Sequence, residues 1–361
     1  MSFLPSTLPL IQAPMAGAQG YGLAIAICRA GGLGSLPAAM LSADMLREQI
    51  ALVRASTAAP FNVNFFCHLA PAPDPAAEAR WRARLAGYYA GAGLDFSGVR
   101  TGPARSPFDE EMCEVVEDAR PAVVSFHFGL PRPPLLARVK ASGALVLATA
   151  TTVAEALWLE EREVDGIVMQ GREAGGHRGM FLSDDIDAQP GLFSLLPQAR
   201  DAVRSPLVAA GGIGDGRGVA AAFALGADAV QLGTAYLRAP EALTSPIHRA
   251  ALARARDDST RLTNVFTGRP ARGIVNRLVS ELGPMCPDAP AFPLASAAVA
   301  PLRAADERLG RSDFSPLWAG EAAALAREES GEAITRRIWS EALAVMAELG
   351  ALVPAPETFE R

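Results

Sequence analysis

The sequence predicts a (β/α)8 barrel, the TIM-barrel architecture, carrying a smaller inserted helical domain. Eight short apolar runs recur through residues 1–235, most followed by a Gly- or Pro-rich corner and a longer Ala/Leu/Arg/Glu stretch with helical spacing. The runs are continuously apolar instead of alternating, which is how a strand reads when both its faces are covered. A chain of 361 residues suits one barrel of roughly 250 residues plus an addition.

Taken in order, LPLIQAPM (8–15) and GLGSLPA (32–38) supply the first two strands. The stretch ADMLREQIALVRAS is a helix opening after Ser42, whose hydroxyl suits first-turn amides. PFNVNFF (60–66) is the third strand, and the gap from 67 to 121 is too long for one crossover, so it holds an insertion beginning with the loop HLAPAPDP. AVVSFHF (122–128) and ALVLATA (144–150) are each followed by a helix, PPLLARVKAS and TVAEALWLEERE. GIVMQG (166–171), PLVAAGG (206–212) and AVQLGTA (229–235) complete the eight. The helix GRGVAAAFALG ends in Gly226, at a position where the chain leaves a helix with positive φ. After residue 238 the alternation stops, and helical stretches lead into the Pro/Ala-rich PDAPAFPLASAAVAPL and two amphipathic helices. The expected organisation is a barrel at 1–238, a small helical substrate or cap domain at 239–296, and C-terminal helices at 297–361 returning to the barrel.

Half the residues are hydrophobic, so a large core can form, and the net charge is −6. Arginines are scattered through the helices without a basic stripe, which excludes a nucleic-acid footprint. Cys28, Cys67, Cys113 and Cys286 lie far apart and suggest neither a disulfide framework nor a zinc site. Residues 1–28 carry no charged side chain, yet they lack a basic start and are interrupted by Pro5, Pro9 and Pro14. A cytoplasmic chain with no membrane anchor is expected.

Barrel active sites are assembled at the C-terminal ends of the strands. There the strand map places three of the four histidines: His68 after strand three, His127 at the end of strand four and His177 after strand six. No metal-binding spacing or nucleophile elbow accompanies them. Gly211, Gly212 and Gly214 end the seventh strand, and Gly233-Thr234 ends the eighth, where backbone amides recurrently bind phosphate. The relaxed G-x-G-x-x-A pattern from Gly216 to Ala221 lacks the acidic residue a dinucleotide ribose requires, since Tyr236 stands twenty residues on. Gln12, Asn62, Asn64, Ser125, Gln170 and Gln231 put polar groups inside strands, which is unfavourable unless they are paired or bind a ligand. Amides and glycines around a phosphate-bearing, uncharged ring system suit flavin mononucleotide (FMN).

QAPMAG (12–17), GGLGS (31–35), FNVNFF (61–66), SFHFG (125–129), QGREAGGHRG (170–179), VAAGGIGDGRG (208–218) and GADAVQLGT (226–234) together resemble the nitronate monooxygenase family, once called 2-nitropropane dioxygenases. PARGIVNR (270–277) and WAG (318–320) are similar to its C-terminal part. The resemblance implies an FMN-binding barrel with a smaller substrate domain. It further implies that Met15, Ala16 and Gly17 lie along the flavin ring, that Asn64 and Gln170 hydrogen-bond it, and that Gly175, Gly212, Gln231, Leu232, Gly233 and Thr234 hold the ribityl phosphate. His177 matches the family's active-site histidine, with His127 a second candidate to anchor the substrate's nitro group.

The implied activity is oxidation of alkyl nitronates such as propionate 3-nitronate by O2, through one-electron transfer to the flavin, which carries the chemistry while the protein binds and orients. His177, with an ordinary pKa near 6.5, is suited to act as base toward a nitroalkane or, when protonated, as anchor for the nitro group. The alternative on the same scaffold is an NAD(P)H-dependent FMN reductase acting on an enoyl-acyl carrier protein or a quinone, since those relatives carry a similar EAGGH loop. The histidine in SFHFG, together with Gln170 and the long C-terminal tail, favours the monooxygenase. One departure is Glu321, which follows WAG where the family pattern leads us to expect glutamine.

Overall fold

Each of the eight apolar runs forms a strand in the computed structural model, which describes residues 3–72, 74–99 and 105–352. Pro73 in the loop after the third strand, and 353–361 at the end of the expected C-terminal segment, lie outside the described residues. In chain order the strands are β1 (Leu10–Gln12), β2 (Gly34–Pro37), β3 (Phe61–Phe66), β4 (Val123–His127), β5 (Leu145–Ala150) and β6 (Gly166–Gln170). The two-residue β7 (Gly176–His177) lies apart, followed by β8 (Leu207–Ala210) and β9 (Ala229–Leu232). The order β1-β9-β8-β6-β5-β4-β3-β2 is parallel throughout. Leu33 N donates to Leu10 O at 2.8 Å and Gln12 N to Leu33 O at 2.9 Å, so β1 meets the β2 side and the sheet closes into a barrel.

Seven helices follow the strands around the ring: α1 (Tyr21–Arg29), α2 (Ala43–Ser56), α4 (Glu110–Ala119), α5 (Pro133–Ala141), α6 (Val153–Glu160), α7 (Leu192–Ala202) and α8 (Gly216–Ala224). The Ser42 hydroxyl accepts from Met45 N at 3.3 Å, and Gly226 leaves α8 at φ +100°, as their positions predict. After β9 only a 3-10 turn follows, and the eighth place is filled from the far end of the chain by α12 (Gly331–Ala351), packed between α8 and α1. Gly216 and Gly331 permit that approach, because a Cβ at either would fall within 3 Å of the neighbouring helix. No helix among the described residues is long and apolar enough to cross a membrane.

The barrel interior is apolar at its N-terminal end, where Leu4, Ile11, Leu33, Val123, Leu147, Val168, Val208 and Ala229 form one buried cluster. The C-terminal mouth is the end of the barrel left open to a ligand.

A second core lies beside the mouth. Trp81, Leu85 and Tyr89 of α3 (Pro75–Gly91) pack with Val265, Phe266, Leu278, Val279, Phe314 and the apolar face of α11 (Ala295–Arg308). Trp81 Nε1 and Tyr89 Oη donate to the carbonyls of Ala295 and Ala298 at 3.1 and 2.6 Å. The sequence pattern predicts only helices across 239–296. The structure places α9 (Pro246–Ala253) and α10 (Arg277–Leu282) there, but also an antiparallel hairpin of β10 (Thr260–Thr263) and β11 (Ala271–Ile274). TRLT and ARGI are too short and polar to read as strands, and they are organised by what they pair with: β11 binds β7, setting Ala271 opposite His177.

Candidate functional site

A cavity of about 1300 Å³, measured out to its mouth, opens over the C-terminal ends of the strands. Met15, Ala16, Asn64, His127, Gln170, Gly175, His177, Gly212, Gln231, Gly233 and Thr234 all line it. Gly17 and Leu232 stand behind the lining: Gly17 turns the chain at φ +82°, and the buried Leu232 offers its carbonyl to Ala13 N at 2.7 Å. The polar strand residues divide in two. Gln12 and Asn62 are used internally, Gln12 binding Ser35 and Gln19, and Asn62 donating to Ser35 Oγ and Ser125 Oγ at 3.0 and 2.9 Å. Asn64, Ser125, Gln170 and Gln231 face the cavity, and the Gln231 side chain has no hydrogen-bonding partner among the described residues.

On the β8–β9 side the wall is backbone. Gly211 and Gly212 have φ of +115° and +70°, which side-chain-bearing residues adopt only with strain. A Cβ at Gly175 would lie 2.5 Å from Gly320 N, so the loop after β6 and the segment at 320 close on one another only through glycine. Gly320 N donates to Thr234 Oγ1 at 2.9 Å, which leaves the Thr234 hydroxyl proton available. The amides of Gly175 and Gly212 meet no acceptor among the described residues. Such a set fits an anion such as a flavin phosphate. The N-terminus of α8 does not join it, because Asp215 accepts from the Arg217 and Gly218 amides and Glu341 from Gly216 N.

The loop QGREAGGHRG is held by hydrogen bonds at almost every step. Gln170 Nε2 donates to the His177 carbonyl at 3.0 Å while Gln170 Oε1 accepts from Gly179 N at 2.8 Å. Arg178 is completely buried and donates to the Gln170 and Gly171 carbonyls at 2.8 and 2.5 Å and to Gln189 Oε1 at 2.7 Å. Glu173 accepts from Leu192 N at 2.8 and 2.9 Å, capping α7, whose own N-cap is Gly191. Arg172 reaches Asp187 at the surface, 3.5 Å away.

His127 donates from Nε2 to the same His177 carbonyl at 3.2 Å, since a carbonyl can only accept, and its Nδ1 meets Thr149 Oγ1 at 3.1 Å. Burial pushes its pKa down to about 3. His177 Nε2 lies 3.0 Å from Thr267 Oγ1, and Nδ1 meets no protein group among the described residues. Burial first, then the charges of Arg105 and its neighbours, hold the His177 pKa well below its ordinary value. Burial thus favours the neutral form of both rings.

Around His177 stand Phe292, Trp318, Phe128 and Phe66, with ring centroids 5.2, 5.4, 6.1 and 6.4 Å away. His68 is buried edge-on to Phe292 at 4.8 Å, outside the cavity lining, so the three histidines near the mouth do not form one cluster. Arg105, Phe66, Thr149 and Trp318 line the cavity without having been legible as site residues; FNVNFF and WAG gave a cue to Phe66 and Trp318 through their similarity to family motifs. Glu321 is paired with the buried Arg272 at 3.0 Å, and its neighbours Gly320 and Ala322 line the cavity while it does not.

The family model described as nitronate monooxygenase matches residues 1–341. A nitronate monooxygenase of Paraburkholderia phytofirmans is 43% identical over 325 residues, covering 88% of each chain. One of Pseudomonas aeruginosa is 41% identical over 336 residues, 92% of this chain and 95% of the relative. Among solved structures, nitroalkane oxidase from Streptomyces ansochromogenes superposes with a TM-score of 0.87 at 40% identity, covering 96% of this chain and 98% of the other. FabK from Thermotoga maritima gives 0.73 at 26%, covering 97% of both.

Proposed function

The chain belongs to the nitronate monooxygenase family of flavin-dependent oxidoreductases, and on that premise we propose that it binds FMN and oxidises alkyl nitronates, propionate 3-nitronate among them, with O2. The observation that carries this reading is the single cavity running from the glycine cradle at β8–β9 to a neutral histidine under an aromatic roof.

In this reading Gly175, Gly212, Gly233 and Thr234 hold the phosphate, while Met15, Ala16, Asn64 and Gln231 lie along the rest of the cofactor. Gly17 and Leu232 shape that wall through their backbone. Bound there, FMN would supply one-electron redox chemistry toward the nitronate, with O2 as the final oxidant. Gln170 and His127 act as positioning residues, since together they fix the His177 carbonyl and so the placement of the ring.

The Thr267 hydroxyl has the Arg269 carbonyl 3.4 Å away as an acceptor for its proton. It then accepts from His177 Nε2–H, which leaves the Nδ1 lone pair toward the cavity as the base for a nitroalkane's α-proton. An anionic nitronate entering beside the ring favours protonation instead, turning the same residue into an anchor. We further propose that the segment 239–296, together with α3 and α11, forms the substrate lid, because Thr267, Arg269 and Phe292 reach the His177 end from it.

The test is anaerobic mixing of the yellow protein with propionate 3-nitronate and, in parallel, with NADH. Bleaching by the nitronate and inertness to NADH are expected. Rapid bleaching by NADH alone would replace this reading with a reductase of the same fold.

A further inference from the structure

Among the described residues that line the cavity, Arg105 is the only formally charged side chain, and none of them is an aspartate or glutamate. Its guanidinium carbon lies 5.9 Å from the Phe292 ring centroid, and no carboxylate or carbonyl accepts from the group among the described residues. The segment that carries it is fixed at both ends. Phe108 N donates to Phe66 O at 2.7 Å, with the Phe108 ring packed against Phe65 and Phe126 at 4.7 and 5.3 Å, and the His68 ring donates to the Arg105 carbonyl.

A half-buried cation facing an acid-free cavity is unfavourable until an anion arrives. The cofactor phosphate is not that anion, because Arg105 stands over the end of β3, and β3 is four strands from β8, across the barrel from the glycine cradle. Arg105 instead faces Phe292, whose ring centroid is 5.2 Å from that of His177, which puts it at the His177 end of the cavity.

We propose that Arg105 is the specificity-determining residue of this site: its planar fork binds a carboxylate at the far end of the nitronate, so that a substrate with two negative charges is preferred. This rests on the nitronate reading, in which the nitro group itself lies beside His177. Arginine suits the task because its fork matches a carboxylate in bidentate geometry, which a lysine ammonium cannot do.

The experiment uses the flavin-loaded enzyme and compounds matched in length. Dissociation constants for 3-nitropropionate and 1-nitropropane are read from the flavin spectrum, and KM and kcat are measured for the two corresponding nitronates. The native enzyme is expected to bind 3-nitropropionate at least about 10-fold more tightly, as hydrogen bonds to a charged group imply. Arg105→Met should abolish that preference through KM and Kd, with Arg105→Lys restoring part of it. Equal loss on both compounds, or an unchanged ratio, overturns the assignment. Should the variants fold poorly, the native comparison still decides, since equal affinity for the two compounds also overturns it. An enzyme that oxidises neither nitronate but keeps an Arg105-dependent preference for 3-nitropropionate defeats the nitronate reading and leaves the anion site standing.

Discussion

At the scale of single residues, the proposed chemistry rests on how His177 is held. Its carbonyl takes two donors, Gln170 Nε2 and His127 Nε2, and its ring meets Thr267 Oγ1 at 3.0 Å. Thr267→Val keeps the shape and removes that hydroxyl, so neither tautomer of His177 is selected. We expect kcat/KM for a neutral nitroalkane to fall about 10-fold, the equivalent of one hydrogen bond near 1.4 kcal/mol, and the rate on the preformed nitronate to fall less. Equal losses on both substrates would deny His177 a role as base. His177 was legible from the sequence because a histidine among four glycines directly after a strand is unusual. Thr267 and Arg105 were not legible, since a lone Thr in NVFTGRP and a lone Arg in TGPARSP carry no spacing signal; only packing brings them to the mouth.

At the scale of elements, α12 is the instructive case. It completes the helical ring beside β9 although more than ninety residues separate the two in sequence. Local periodicity marks α12 as amphipathic, but the partner of its apolar face is set by a gap elsewhere in the barrel. The contact depends on Gly216, where a Cβ would fall 2.3 Å from both Ala342 N and Glu341 Cβ. Gly216→Ala is expected to destabilise the protein by about 1–3 kcal/mol through overpacking. Thermal melting should drop by several degrees, while flavin content and kcat at 25 °C stay near native because the junction lies outside the cavity. Gly87→Ala, on α3 with nothing within 4 Å of the added carbon, is the control and should be neutral or slightly stabilising. Equal melting points for the two variants would contradict the close packing of α8 and α12.

For the whole molecule, the histidines set an acid limit. Burial lowers His68 and His248 to about 4 and His127 to about 3, and depresses His177 strongly. Each native pKa lies below the unfolded value near 6.5, so below that pH the unfolded chain binds protons the native state refuses. Stability is fully present above pH 6.5 and is lost as pH falls toward 4, by up to about 1.4 kcal/mol per pH unit for each histidine. Depressed carboxylates such as Glu160 and Glu341 lose their stabilising contribution only at lower pH, which isolates the window from 6.5 to 4.5. Urea unfolding across that window should show stability declining steadily, and a flat profile would mean the rings are protonated in the native state.

The sequence by itself determined the barrel, because eight continuously apolar runs with helical stretches between them can be satisfied only by strands covered on both faces. It also made the glycine wall of the cavity legible, since glycine clusters at strand ends are a local backbone property. Tertiary structure alone decided which polar strand residues face the cavity, for Gln12 and Gln170 look equivalent until their neighbours are known. It likewise decided that α3 packs with α11 in a second core and that a hairpin from 260–274 pins His177. It decided, too, that Arg105 lines the cavity. These are contacts between residues far apart in the chain, and their energy comes from burial and pairing that no local pattern encodes.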